Sequence, residues 1–234
     1  MKLVFTRPAG QNQGLLDALP QHDCLELPLM TLQPLALTPE AKQQIMDLDL
    51  HDLLISTSPM ASQCFIDQAE QYWPQWPIGL SALCPGPGSA KTLQQQGILC
   101  HWPEETNAQA MLSMPQLHKA ERVLIARGQT SRQPLAEQLT QRGLRVSELI
   151  LYRRQMLTPS LEQLQQLAHY DWLLISSQQG LEHLAKLLDD NQLACCPLLV
   201  SSPMLAQRAN ELGLAHRLCN GASDQHFIQV ITQL

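Results

Sequence analysis

The chain has 234 residues, 44% of them hydrophobic and 15% charged, with a formal net charge of -6. That size holds one large domain or two small ones, each able to bury a working core, and the composition excludes extensive disorder. The acidic balance without a lysine-arginine cluster excludes a general nucleic-acid binder.

Short apolar runs followed by turn residues alternate with longer segments of helical period, the pattern of an α/β protein with parallel strands. Strands are expected at 2–6, 24–27, 53–56, 78–84 and 98–102, and again at 122–126, 145–149, 172–176, 198–201 and 215–218. Helices are expected at 13–19, 60–68, 89–96, 108–116, 135–141, 161–168, 180–188, 204–212 and 225–233. Gly97, Gly143 and Gly213 then fall where a helix C-terminus takes a residue at positive φ. No apolar run reaches the length of a membrane span, and the one at the start is too short for a signal peptide, so a soluble cytoplasmic protein with no membrane partner is expected.

The second half repeats the first at an offset of roughly 120 positions. Val4-Phe5-Thr6-Arg7-Pro8 reads against Leu124-Ile125-Ala126-Arg127-Gly128, Asp52 to Ser58 against Asp171 to Ser177, and Ser89 to Gly97 against Leu205 to Gly213. Two similar halves imply two domains, and polar residues at the strand ends of both suggest a cleft for a large ligand. Two proline-marked extended stretches, 32–38 and 151–159, follow the second strand of each copy. If the chain crosses between domains at both, the first domain is discontinuous, 1–33 plus 159–234, the segments 34–38 and 151–158 pair as a hinge, and 39–150 is the second domain. A single cut near Lys119 is the alternative, and spacing does not choose between them.

In an open parallel sheet, ligands bind beyond the carboxyl ends of the strands, so the residues that follow each strand are the candidates. Arg7 and Arg127 end the first strand of each copy and can clamp carboxylates through two parallel N–H donors. Thr57 and Ser58 after one strand, and Ser176, Ser177 and Gln178 after its counterpart, precede helices and offer hydroxyls and free backbone N–H groups. Gly86 and Ser89, in the run Pro85-Gly86-Pro87-Gly88-Ser89, bring backbone close to a ligand, and Ser202 marks the matching turn. Gly128 opens a turn that runs on through Gln129, Thr130, Ser131 and Arg132. A serine before a helix is more often only a cap, and a strand-end arginine more often only a surface charge; their recurrence in both copies raises the functional reading. The glycine run matches neither a dinucleotide fingerprint nor a Walker loop. Tyr152 stands apart, a phenol on a crossing segment that can give or share a proton, or simply cover a joint. The seven cysteines (Cys24, Cys64, Cys84, Cys100, Cys195, Cys196 and Cys219) include no C-x-x-C and read as reduced thiols, and the eight histidines show no metal-ligand spacing.

The strand ending Thr6-Arg7-Pro8, Thr57-Ser58, the glycine loop before Ser89-Ala90, the Arg127-Gly128 corner and Tyr152 together resemble the uroporphyrinogen-III synthase family over essentially the full length. The resemblance implies two similar parallel-sheet, flavodoxin-like, doubly wound domains joined by a two-stranded hinge, with the first domain discontinuous. It implies closure of hydroxymethylbilane, a linear tetrapyrrole polycarboxylate, to uroporphyrinogen III with loss of water and inversion of ring D. It also implies a monomer with no metal or organic cofactor, and Tyr152 as the acid. Met204 and Leu205 stand where some members carry threonine, Ser202 replaces a glycine, and Ser89 replaces a common threonine while keeping the hydroxyl. A two-domain protein that closes on a small acid without chemistry is the competing expectation.

Overall fold

A computed structural model describes residues 1–105, 108–129, 135–188 and 197–234. Its contacts divide the chain into two units, Met1–Thr31 with Gln155–Leu234, and Leu32–Arg154. Each is built on its own sheet.

The sheet of the first unit runs in the order β11-β10-β9-β1-β2 and joins β1 (Lys2–Phe5), β2 (Asp23–Glu26), β9 (Trp172–Ile175), β10 (Leu198–Val200) and β11 (His216–Leu218). All four pairings are parallel. Helices cover both faces, which is why the central strands read as unbroken apolar runs. Val4, Leu173, Ile175, Leu198 and Val200 pack under α8 (Gln178–Leu187) and α9 (Pro203–Glu211) through Leu181, Leu184, Leu205 and Ala209. Leu3, Phe5, Leu174 and Leu199 pack under α1 (Gln13–Ala18) and α10 (Asp224–Ile231) through Leu15, Phe227 and Ile231. Truncating a fully buried aromatic such as Phe5 or Phe227 to alanine costs about 3–5 kcal/mol.

The second unit orders its sheet β3-β8-β7-β4-β5-β6, from β3 (Met30–Pro34), β4 (Leu53–Ser56), β5 (Ser81–Leu83), β6 (Leu99–His101), β7 (Arg122–Gly128) and β8 (Arg145–Met156). Leu54, Ala82, Leu124 and Ala126 pack against α3 (Pro59–Ala69) and α4 (Pro87–Gln95) through Phe65, Ala90 and Leu93, while Ile45 reaches the same core from α2 (Pro39–Met46). The opposite face holds Leu53, Ile55, Val123 and Ile125 against Met111 of α5 (Ala108–Met111) and Leu135 and Leu139 of α6 (Leu135–Gln141). With β9-β10-β11 matched to β4-β5-β6, and β1-β2 to β7-β8, the two sheets have one strand order, and the chain enters the second at a different strand. That permutation is why a repeat in sequence at a single offset is not two consecutive domains. β3 is added at the edge beside β8; Leu35 N–H donates to Leu151 and Leu157 N–H to Leu29, so this pair runs antiparallel.

Local differences from the sequence-based expectation have local causes. α2 is absent from the expected elements, although Thr38 caps it by accepting from Ala41 N–H and Pro39 opens it. The helix expected at 108–116 stops at Met111, because Pro115 starts a separate 3₁₀ turn, Pro115–His118. β5 begins at Ser81 instead of Ile78, after Pro77 and a left-handed Gly79 at φ 85°. β8 continues to Met156 through residues that the sequence pattern divides between a strand and a crossing.

Candidate active site

Strand order reverses direction beside β1 and β9 in the first unit and beside β7 and β4 in the second. Loops diverge at such a point and leave a crevice at the carboxyl ends. A threonine bridges each crevice in mirrored fashion: Thr6 Oγ1 donates to the Leu174 carbonyl at 2.6 Å, and Thr57 Oγ1 to the Ala126 carbonyl at 3.2 Å.

In the second unit the crevice is lined by hydroxyls. Ser58 is the N-cap of α3; its Oγ accepts from Ala61 N–H at 3.1 Å and lies 2.9 Å from the Tyr152 phenol oxygen. Tyr152 is only 5% exposed, its ring lying against Gly128, where a Cβ would sit 2.7 Å from the ring carbon that bears the hydroxyl. Gly128 is therefore required by close approach, not by backbone conformation. Gln129 N–H donates to the Tyr152 carbonyl at 2.8 Å and ties the turn after β7 to β8. Beneath these, Ser56 Oγ meets Ser62 Oγ at 2.7 Å and Ser62 donates to the Ser89 carbonyl at 2.6 Å. Gly86 caps α4 without a side chain and is buried, as is Ser89 at 4% exposure. With proline at the first helical position of α3 and α4, the amides of Met60 and Gly88 lack an intrahelical acceptor and are the donors an anion would meet.

The two strand-end arginines are already partnered. Arg7, 9% exposed, donates to Asp224 Oδ1 at 2.5 Å and to the Ala222 carbonyl at 2.6 Å, and lies over the Phe227 ring at 5.0 Å. Arg127 donates through Nε to Glu148 at 2.5 Å and through Nη1 to the Gly128 and Gln129 carbonyls. Neither stands open as a two-pronged clamp in this state. In the first unit, Ser177 caps α8 by accepting from Gly180 N–H at 3.1 Å and Ser202 caps α9 by accepting from Leu205 N–H at 3.3 Å. Gln178 opens α8, and the Ser176 carbonyl accepts from Ser201. Thr130, Ser131 and Arg132, like Cys195 and Cys196, lie outside the described residues.

Sequence reasoning missed Ser62 and the acids Asp224 and Glu148. Ser62 had a readable signal, a polar residue on the buried face of α3; the acids had none, because the chain separates Arg7 from Asp224 by nearly its whole length. Cys84, just before the glycine loop, is held protonated: its hydrogen bond to Cys100 and its burial both push the thiol pKa up, so it is no nucleophile here. Among the described residues no group of His, Cys, Asp and Glu is placed to hold a metal ion, and no helix is long and apolar enough to cross a membrane.

Two mainly parallel sheets sharing one order over five strands, with hydroxyls and helix N-termini at their carboxyl edges and a held phenol at one of them, define a doubly wound α/β protein with the layout in which such sheets take ligands. The family model described as uroporphyrinogen-III synthase HemD matches residues 15–229, and the chain belongs to that family. It is 27% identical to the uroporphyrinogen-III synthase of Escherichia coli strain K12 over 239 residues, covering 91% of this chain and 92% of that one. It is likewise 27% identical to the enzyme of Salmonella typhimurium, again over 91% and 92%. Two solved structures share the fold: a mutant uroporphyrinogen III synthase of Thermus thermophilus (TM-score 0.64, 15% identity, 100% of this chain and 98% of that one) and the uroporphyrinogen-III synthetase of Helicobacter pylori 26695 (TM-score 0.65, 15% identity, 99% and 98%). Family and relatives agree on one activity, a lyase of haem biosynthesis, and the two structures agree with them in fold.

Proposed function

We propose that this chain closes hydroxymethylbilane to uroporphyrinogen III with Tyr152 as the source of the proton that lets the terminal hydroxyl leave. The observation that carries this reading is the Tyr152 phenol, held against Gly128 and hydrogen-bonded to Ser58 at the carboxyl edge of the second unit's sheet. Loss of the protonated hydroxyl leaves an electron-deficient azafulvene, which the substituted carbon of ring D attacks to give a spiro intermediate; its rearrangement inverts that ring. Most of the acceleration then comes from holding a reactive chain end to end, with one acid assisting departure.

The substrate's carboxylates are spread along a flexible chain, and dispersed donors suit them better than one basic pocket. The assignment is Thr57, Ser58, Gly86, Ser89, Arg127 and Gly128 on the second unit, and Arg7, Ser176, Ser177, Gln178 and Ser202 on the first. Backbone N–H groups at the N-termini of α3, α4, α8 and α9 carry more of the binding than the two partnered arginines. The reading includes a cytoplasmic monomer with domains 1–33 plus 159–234 and 39–150, joined by the segments 34–38 and 151–158, of which β3 reaches only Pro34 and β8 runs to Met156.

The isomer formed from fresh hydroxymethylbilane tests it. Product dominated by type III over the spontaneous type I supports the synthase; type I alone from folded protein returns the chain to non-catalytic acid binding.

A further inference from the structure

The buried phenol poses a problem for direct proton delivery. Tyr152 is 5% exposed and its ring lies on Gly128, so the acid is screened from a substrate lying at the strand ends. Ser58 is half-buried and therefore closer to solvent, and its Oγ is 2.9 Å from the phenol oxygen. A hydroxyl oxygen has two acceptor sites and one proton. Ala61 N–H takes one acceptor site of Ser58. If the phenol donates into the other, the Ser58 proton is left to point outward.

We propose that Ser58 is the group that touches the departing hydroxyl, and that Tyr152 acts through it as a two-hydroxyl relay. This rests on the reading of Tyr152 as the acid and changes the role of Ser58 from binding a carboxylate to passing a proton. As the methylene C–O bond breaks, its electron pair leaves on oxygen. The Ser58 proton moves to that oxygen to form water, and the Tyr152 proton moves to Ser58. The phenolate that remains faces the N-terminus of α3, an eleven-residue helix whose dipole favours a negative charge there. When ring closure later releases a proton from the attacking pyrrole, Ser58 returns it to Tyr152. The sum is bilane to uroporphyrinogen plus water, with no other reactant.

Capping and relay are separable by chemistry. Threonine caps and carries a hydroxyl, whereas asparagine caps but has no hydroxyl proton to pass. Ser58→Thr is expected to keep kcat within about threefold of wild type, and Ser58→Asn to lose about tenfold or more with little change in KM, within the range of general acid catalysis. Tyr152→Phe loses a similar factor, and Ser58→Asn with Tyr152→Phe loses no more than the worse single variant, because a broken relay cannot be broken twice. In the wild type, kcat in mixed H2O and D2O falls along a curve, since two protons move together, and Ser58→Asn removes the curvature. Full kcat in Ser58→Asn with a loss in Tyr152→Phe overturns the relay and leaves Tyr152 as a direct acid. Multiplying losses in the double variant also overturn it. Full kcat in Tyr152→Phe overturns the acid reading itself.

Discussion

Ser58 and Ser177 stand at matching places in the two units, each ending the exit from a central strand and each capping the helix that follows with a bond of 3.1 Å. Ser58 has a phenol beside it, 2.9 Å from its Oγ. In the first unit the registered strand β2 ends at Glu26, opposite Phe5, whereas its counterpart β8 runs on past Glu148, opposite Ile125, and carries Tyr152 opposite Gly128. The same sheet and cap thus occur twice, and in the second unit a phenol meets the cap; on the proposed reading that phenol is the proton source. On that reading the duplicated scaffold provides anion-binding edges in both units and chemistry in one.

Substitutions at Tyr152 and at the Ser177 cap should therefore act on different kinetic constants. Tyr152→Phe lowers kcat by about tenfold or more, whereas Ser177→Ala acts mainly on KM, because it weakens a donor edge with no acid behind it. Steady-state kinetics on both variants decide this, and a kcat loss in Ser177→Ala equal to that of Tyr152→Phe would remove the division of labour.

Gly128→Ala comes next. Its new methyl would sit 2.7 Å from the Tyr152 ring, so the ring, and with it the hydroxyl that meets Ser58, must shift. The expected cost is about 1–3 kcal/mol in stability from overpacking, with a fall in kcat that tracks the displaced hydroxyl. Urea denaturation and turnover measured together check it; normal kcat in a destabilised Gly128→Ala protein would show that the phenol's position is not critical.

The arginine corners follow. Arg7→Gln removes a guanidinium that is 9% exposed and holds Asp224, the Ala222 carbonyl and the Phe227 face; Arg127 is 17% exposed and holds Glu148. The more buried pair has more to lose, about 2–3 kcal/mol for Arg7→Gln against about 1 kcal/mol for Arg127→Gln. Equal denaturation midpoints for the two variants would contradict this.

The positions of most strands and helices were legible because apolar runs and their breaks are local. The sheets' shared strand order showed as three matching segments at nearly one offset. Tyr152, Ser58 and Gly128 were legible as candidates, and what escaped was their contact: no spacing rule says that a residue on β8 lies on the turn after β7 and meets a cap 94 positions away. The arginines were legible as strand-end cations, but their acids were not, since Asp224 and Glu148 reach them only through the folded sheet. α2 has its signals in Thr38 and Pro39, but the extended run before it reads as a crossing and masks them.

Two aspartates that the repeat places in register should differ least. Asp52 Oδ2 accepts from Glu121 N–H and Arg122 N–H, each at 2.8 Å, and so pins the start of β7; Asp171 Oδ2 accepts from Lys2 N–H at 2.7 Å and pins the start of β1. Both perform one task, the first with two amides and the second with one. The backbone bonds from Arg122 and Glu121 hold the Asp52 carboxyl below its ordinary pKa. A depressed folded-state pKa gives stability that is complete above the unfolded value, near 3.9, and is lost as pH falls through the lower folded value. Asp52→Ala is therefore expected to cost about 1–2 kcal/mol at neutral pH, after allowance for its exposure, and Asp171→Ala about half as much. The gap between wild type and Asp52→Ala should close below about pH 4 as both chains come to lack the charge. Denaturation midpoints across that range, read with a probe in each unit, test the pairing: a gap that stays constant with pH would mean that Asp52 contributes shape, not charge, to the start of β7.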